Sequence, residues 1–352
     1  MASDGLIFVI SENLPFSIMD IKTLAKSLNL SISTISRALR DSHEISDETK
    51  RRVKAMAEKL NYYPNPYASS LRKHKSRTIA VVIPEITNNF FALAINGIES
   101  IAQEKNYHVL IYLTHEDLHK EIGFANHLQS GRVDGIMISL SSETNNYDHL
   151  IKLRDNGIPL VFFDRICEAI ESSYITTDDY ESGFAATEHL IESGCKKIAY
   201  LDLSRYLSTS NRRMLGYIAA LENHGIPFNA HLVKRLANNN TVNEELITEM
   251  LSVPDSPDGI FASVEKLAIA TYNVCERLKL KIPEQLKVVS FSNLEISSLL
   301  NPSLTTITQP AYEIGRQAAL QLFRYIEKKN MMNVHEKIIL ESTLVARGST
   351  KK

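Results

Sequence analysis

Two periodicities divide this chain. From Asp20 to Leu60 apolar residues recur every three or four positions on short segments: Ile21, Leu24, Ala25 and Leu28 make one stripe, Ile35 and Leu39 a second, Val53, Ala57 and Leu60 a third. That spacing predicts three short amphipathic helices sharing a small core. Beyond Thr78 apolar runs alternate with longer amphipathic stretches. Strands are predicted at Thr78–Ile83, Tyr107–Tyr112, Gly135–Ser139, Pro159–Phe163, Lys197–Leu201, Gly259–Phe261, Lys287–Phe291 and Thr305–Ile307. Helices are predicted between them, for example at Phe90–Glu104, Ser182–Glu192, Arg212–Asn223, Glu265–Leu278 and Ala311–Glu327. Such alternation builds βαβ units, so the fold class is α/β, with parallel sheets covered by helices on both faces. Eight strands suggest two sheets with a ligand crevice at the strand ends between them.

The first two helices read as a helix-turn-helix. Asn29 stands at the turn, where a left-handed backbone is wanted, and Ser31 is placed to cap the second helix. The outward residues of that helix, Ile32, Ser33, Thr34, Arg37 and Arg40, are apolar, small or basic, a face suited to base edges. Ser46 caps the third helix, Asp47 and Glu48 complement its dipole, and it ends by Tyr62-Tyr63-Pro64. The polar stretch from Asn65 to Lys75 is too short to hold a helix alone and reads as a hinge that orders on contact with a partner. Met1–Ser17 lacks periodicity and is expected to be a disordered tail; Met19 is an alternative start.

Charge sharpens this division. Met19–Arg77 carries thirteen Lys/Arg against six Asp/Glu, although the whole chain has a net charge of only −2. A basic module on an acidic body fits a polyanion binder whose larger part does something else. The three cysteines, Cys167, Cys195 and Cys275, are far apart and form no C-x-x-C pair, which points to a reducing compartment. Leu6–Ile10 is far too short for a signal core or a membrane span, so a cytoplasmic protein is expected.

From Met19 to Gly348 the chain resembles a transcriptional regulator of the lactose/galactose repressor (LacI-type) family. The landmarks are Ser36-Arg37, Ser46–Arg51, Leu60-Asn61-Tyr62 with Pro64-Asn65, Leu71, Asn89-Phe90-Phe91, Val133-Asp134-Gly135, Phe163-Asp164-Arg165, Gly194, Arg213 with Gly216, Pro302 with Leu304-Thr305-Thr306, Gln309-Pro310 and Arg347. The resemblance implies a helix-turn-helix headpiece, a hinge helix and two Rossmann-like lobes of periplasmic-binding-protein type. It places an N-terminal extension at 1–18, the headpiece at 19–64, the hinge helix and linker at 65–77, and an effector-binding and dimerisation core at 78–352. Three chain crossings would give lobe one 78–164 and 308–329, and lobe two 165–307 and 330–350.

The resemblance also implies a homodimer on a near-palindromic operator in double-stranded DNA, a small-molecule effector such as a sugar or sugar derivative, and no cofactor. A tetramer stays open, as does activation rather than repression. On the DNA side it points to Thr23, Ser31, Ile32, Ser33, Thr34, Arg37, Arg40, Asn65, Ala68 and Leu71. Arg37 can fork onto a guanine or contact a phosphate; Ile32 can touch a thymine methyl or pack on the headpiece core. Arg40 stands where many relatives have Asn. Leu71 matches a residue that wedges into the minor groove and kinks the duplex. Leu71→Ala is therefore expected to weaken specific binding more than about tenfold while sparing effector binding. Unchanged operator affinity in a gel-shift titration refutes the wedge.

On the effector side Asn89, Phe90, Phe91, Asp164, Arg213, Glu265 and Ser292 match the crevice. Phe91 can be a platform or core, Asp164 a ligand or a cap, Arg213 a ligand or a surface ion pair. Two departures weaken a guess at the ligand: Val264-Glu265 replaces a common Asn-Asp pair, and Ser292 replaces an Asp. The ligand is then less hydroxylated, phosphorylated or otherwise unusual, or the core no longer senses one.

Two other classes compete. A solute-binding protein would use the same core but needs an export signal and no headpiece. A zinc metalloenzyme is suggested by His115-Glu116-Asp117-Leu118-His119, an H-E-x-x-H string. That string straddles a strand end and a helix start, with Thr114 and Asp117 resembling a capping pair, and no third ligand lies nearby. No G-x-S-x-G, P-loop or G-x-G-x-x-G supports a hydrolase or nucleotide enzyme.

Overall fold

The computed structural model describes residues 20–62, 76–204, 206–236, 239–328, 332 and 334–351. The predicted extension at 1–18 and the hinge residues Asn65, Ala68 and Leu71 lie outside them. The chain forms two compact units, Met1–Lys73 and His74–Lys352.

In the first unit α1 (Ile21–Leu28), α2 (Ile32–Leu39) and α3 (Asp47–Lys59) bury Leu24, Ala25, Ile35, Ala38, Val53 and Ala57. Each helix starts on a side-chain cap: Asp20, Ser31 and Ser46 accept the amides of Thr23, Thr34 and Thr49. Asn29 ends α1 in the left-handed region at φ 53°, which turns the chain directly into α2.

The second unit contains two six-stranded sheets. The first has the order β11-β5-β4-β3-β1-β2, from β1 (Thr78–Ile83), β2 (His108–Leu113), β3 (Gly135–Ile138), β4 (Leu160–Phe163), β5 (Ser173–Thr177) and β11 (Lys337–Leu340). The second has the order β12-β10-β9-β8-β6-β7, from β6 (Ile198–Asp202), β7 (Val233–Arg235), β8 (Gly259–Ala262), β9 (Lys287–Phe291), β10 (Thr305–Thr308) and β12 (Thr343–Val345). Among the described residues only the β10–β12 pairing is antiparallel. β1 is buried at every position, as expected of a continuous apolar run on an interior strand of a parallel sheet.

Helices cover both faces of each sheet. In lobe one α4 (Asn89–Glu104) crosses α11 (Ala311–Glu327), and α5 (Leu118–Leu128) and α6 (Asp148–Asp155) lie on the opposite face. In lobe two α7 (Asp179–Glu192) crosses α8 (Ser208–Asn223), while α9 (Asn240–Leu251) packs with α10 (Glu265–Leu278). Both principal crossings are made at glycine. A Cβ on Gly315 would lie 1.9 Å from the Ala94 carbonyl oxygen, and one on Gly216 would lie 2.1 Å from that of Tyr180.

The lobe boundaries read from sequence need correction. Segment 165–177 stays in lobe one, because β5 pairs with β4, and β11 returns to the same sheet beside β5. The crossings therefore fall after Thr177, Thr308 and Leu340. β5 carries no strand signal because Ser173-Tyr174-Ile175-Thr176-Thr177 is polar; its hydroxyls are buried by being bonded, Ser173 to Tyr325 at 2.5 Å and Thr176 to the Asp164 carbonyl at 3.1 Å. β7, β11 and β12 are three- or four-residue edge strands with no long apolar run to announce them. The end of the predicted linker is also fixed: the Asp134 carboxylate accepts the amides of Ser76 at 2.6 Å and Arg77 at 3.1 Å.

Candidate functional site

Two surfaces carry chemistry. On the headpiece, Ser31, Ile32, Ser33, Arg37 and Arg40 are exposed or partly so, as is Thr34. Ile32 is 42 % exposed, so it does not pack on the headpiece core. The Ser31 hydroxyl bonds those of Ser33 (2.7 Å) and Thr34 (2.8 Å), leaving a row of hydroxyls at the start of α2. Arg37 pairs with Glu44 at 2.9 Å, both side chains more than half exposed. An exposed pair of this kind is worth about 0–1 kcal/mol, so the guanidinium exchanges readily onto a stronger acceptor. The Thr23 hydroxyl donates to Asp20 at 2.9 Å, and the Thr23 amide and that bond hold Asp20 below the usual carboxylate range.

The second surface lies between the two lobes, at the carboxyl ends of the parallel strands, where doubly wound sheets place ligands. Phe90 and Phe91 enter from the first turn of α4, capped by Asn88. Asp164 and Arg165 follow β4, Ser263 follows β8 and leads into Glu265 at the start of α10, and Ser292 follows β9. Phe90, Phe91, Asp164, Arg213, Glu265 and Ser292 all line one cavity of about 40 Å³, room for a few waters and less than a sugar ring. Asn89 does not line it; its side-chain amide donates across the lobes to the Asn293 carbonyl at 3.0 Å.

Two buried guanidiniums organise the walls. Arg165 Nη1 donates to both Glu116 oxygens at 2.9 Å and to the Leu140 carbonyl at 3.1 Å, with its guanidinium 5.7 Å from the Phe91 ring centre. Arg213 donates Nε to Asp179 at 2.7 Å and Nη1 to the Ser263 carbonyl at 2.8 Å, and lies 3.6 Å from the Phe291 centre. Burial alone would raise Glu116, but the Arg165 charge and the Ser142 amide outweigh it and hold the carboxyl low. At Asp179 burial prevails over Arg213 and pushes the carboxyl up to about 6. Burial likewise raises Asp164, Asp202 and Glu265.

Several contacts join the lobes. The Ser204 hydroxyl donates to the Ser142 carbonyl at 2.7 Å, and Ser208 accepts the Ile166 amide at 3.2 Å. Leu207 is buried in the apolar cluster of lobe one. At the crossings Gln309 donates to Thr177 at 3.0 Å, and Asp178 accepts the Ser342 amide at 2.8 Å. A ligand the size of a sugar ring exceeds this cavity.

Sequence reasoning leaves out the crevice residues Glu116, Arg165 and Gln309, and Asp179 and Asp202 behind them, which bond the lining residues Arg213 and Ser210. Arg165 and Gln309 stand in the landmark strings; Asp179 and Asp202 carry no local signal. Glu116 enters only as part of the H-E-x-x-H string, and the structure dismantles that string. His115 and Glu116 adopt positive φ (53° and 63°) ahead of α5, Asp117 caps the helix by accepting the His119 and Lys120 amides, and Glu116 turns inward to Arg165. The two imidazoles therefore do not share a helical face, and no group of three potential metal ligands occurs among the described residues. Among those residues no helix is long and apolar enough to cross a membrane.

A helix-turn-helix unit joined in one chain to a hinged, two-lobed binding core defines a ligand-modulated DNA-binding regulator. Residues 20–65 match the model of bacterial regulatory proteins of the lacI family, and residues 76–344 match that of periplasmic binding proteins and the sugar binding domain of the LacI family. The chain belongs to the LacI family of transcriptional regulators. It is 29% identical over 330 residues to the transcriptional repressor CytR of Escherichia coli K12, covering 94% of this chain and 96% of that protein. It is 30% identical over 332 residues to the ribose operon repressor of Bacillus subtilis 168, covering 94% and 98%. In fold it is similar to the Lac repressor dimer bound to operator and the anti-inducer ONPF, with a TM-score of 0.83, 20% identity, and 94% and 99% of the chains covered.

Proposed function

We propose that this regulator is a cytoplasmic repressor without enzymatic activity, acting as a dimer on a near-palindromic operator. The observation that carries the reading is the exposed face of α2, with its hydroxyl row and two arginines, on a module distinctly more basic than the rest of the chain. One headpiece reads few base pairs, so two related by a two-fold axis need a symmetric site. Arg37 and Ile32 contact base edges, and Thr23, Ser31, Ser33, Thr34 and Arg40 complete the approach to the duplex. Asn65, Ala68 and Leu71 act in the hinge. The names of the relatives, repressors in both bacterial cases, support this polarity.

In the core, Phe91, Asp164, Arg213, Glu265 and Ser292 hold a small polar effector. Opening and closure of the lobes are the two states that the effector biases, and it does so only by its differential affinity for them. The reading is tested by selecting bound sequences from random DNA and titrating the winner. Arg37→Ala is expected to cost about 1–3 kcal/mol and to relax preference at one guanine. A loss equal for all bases at every position assigns Arg37 to a phosphate instead. Failure of the full chain to prefer any selected duplex over bulk competitor overturns the proposal.

A further inference from the structure

We propose that the inter-lobe crevice takes a ligand bearing a protonated amine and discriminates against phosphorylated or carboxylated ones. This rests on reading the crevice as the effector site. The argument comes from what the walls offer once their own bonds are made.

Four carboxylates line the crevice and its mouth, Glu85, Glu116, Asp164 and Glu265, and two more, Asp179 and Asp202, lie behind the wall, bonded to Arg213 and Ser210. The cations there are Arg165, Arg213 and Lys266, and each already faces a carboxylate: Glu116 at 2.9 Å, Asp179 at 2.7 Å and Glu85 at 4.0 Å. The wall hydroxyls are turned to acids as well, Ser210 and Ser263 to Asp202 at 2.8 and 3.0 Å, Ser292 to Glu265 at 2.9 Å. The charge of these cations is matched by Glu116, Asp179 and Glu85, which leaves Asp164 and Glu265 without a cation to themselves.

Asp164 and Glu265 face this cavity from opposite lobes, 7 % and 9 % exposed. Asp164 shares Arg165, at 3.8 Å, with the closer Glu116 and shares the Arg213 charge with Asp179; its own hydrogen bonds come from neutral groups, Ser139 at 3.4 Å and the Gln309 side chain. Glu265 is reached by neutral donors, the Ser292 hydroxyl and the Asn89 and Asn293 amides. A phosphate or carboxylate would add negative charge to walls whose guanidiniums are already engaged. A neutral polyol would bond the carboxylates but leave their charge uncompensated. An ammonium brings three donors, requires no acceptor and supplies the missing charge.

The test uses the full chain with D-glucose, D-glucosamine, D-glucose 6-phosphate, ethanolamine and methylammonium, read by calorimetric titration and thermal unfolding. The amines are expected to raise the unfolding midpoint and glucosamine to bind at least tenfold tighter than glucose. Glu265→Gln and Asp164→Asn are each expected to reduce that preference about tenfold, and their midpoints without probe report that they fold. Glucose or its phosphate binding as tightly as glucosamine overturns the proposal. So does the absence of any response to the amines up to about 100 mM, well above the millimolar Kd expected of one ammonium site. Operator binding in the same samples separates the outcomes: retained operator affinity without amine preference sinks only the ligand class, whereas lost operator affinity sinks the regulator reading.

Discussion

Arg213→Met is expected to destabilise the core by about 3–5 kcal/mol at neutral pH, because it leaves Asp179 buried without its cation. Asp179 is 1 % exposed, and one of its oxygens already has no hydrogen-bond partner. The penalty depends on pH with a definite sign. Burial raises Asp179 from an ordinary 3.8 to about 6 even with the guanidinium in place, so the folded chain holds a proton that the unfolded chain releases over that interval. A raised acid contributes stability that is complete below about 3.8 and is lost as pH rises through the folded value. Removing Arg213 raises that value further. The deficit of the variant relative to the parent should therefore be larger at pH 8 than at pH 5, as read from urea unfolding. Equal deficits at both pH values would show that Arg213 acts through its bond to the Ser263 carbonyl and its packing on Phe291, and not through Asp179. Adding Asp179→Asn to the variant is expected to recover much of the loss, since a neutral pair leaves no uncompensated charge.

Gly315→Ala should cost about 3 kcal/mol or more, through sterics alone. The added carbon meets backbone, 1.9 Å from the Ala94 oxygen and 2.7 Å from its carbonyl carbon, so no rotamer change relieves it and α4 and α11 must separate. Gly123→Ala is the internal control with the opposite sign. Gly123 sits inside α5, where an added methyl would meet nothing within 4 Å, and alanine there is expected to stabilise by about 0.5–1 kcal/mol. Thermal unfolding of the two variants checks both. A tolerated Gly315→Ala would mean that the helix pair yields more easily than its backbone contact implies.

Legibility from sequence follows the length of the apolar signal. Thr78–Ile83, Lys287–Phe291, Glu265–Leu278 and Ala311–Glu327 match the observed bounds, because each carries a clear apolar pattern. β5 is missed because buried hydroxyls bonded to Tyr325 and to the backbone look polar in a linear reading. That omission shifts the lobe boundary, since it places the crossing after β4 instead of after β5. In the crevice, Phe91, Asp164 and Arg213 are visible by resemblance, whereas Glu116 is visible only as part of a misleading metal-like string. Its partner Arg165 lies 49 positions away, and spacing of that kind leaves no local trace.

The sequence by itself determined the modular plan: capped, amphipathic stripes for the headpiece, alternating strands and helices for the core, and a basic module set against an acidic remainder. These follow from local periodicity and from charge summed along the chain. Only the tertiary structure decided which acids meet which guanidiniums, where the chain passes between lobes, and how closely Gly315 and Gly216 let the helices approach. Those outcomes depend on side chains brought together from distant positions in a low-dielectric interior, where pairing and packing act over a few ångströms and sequence order carries no information about them.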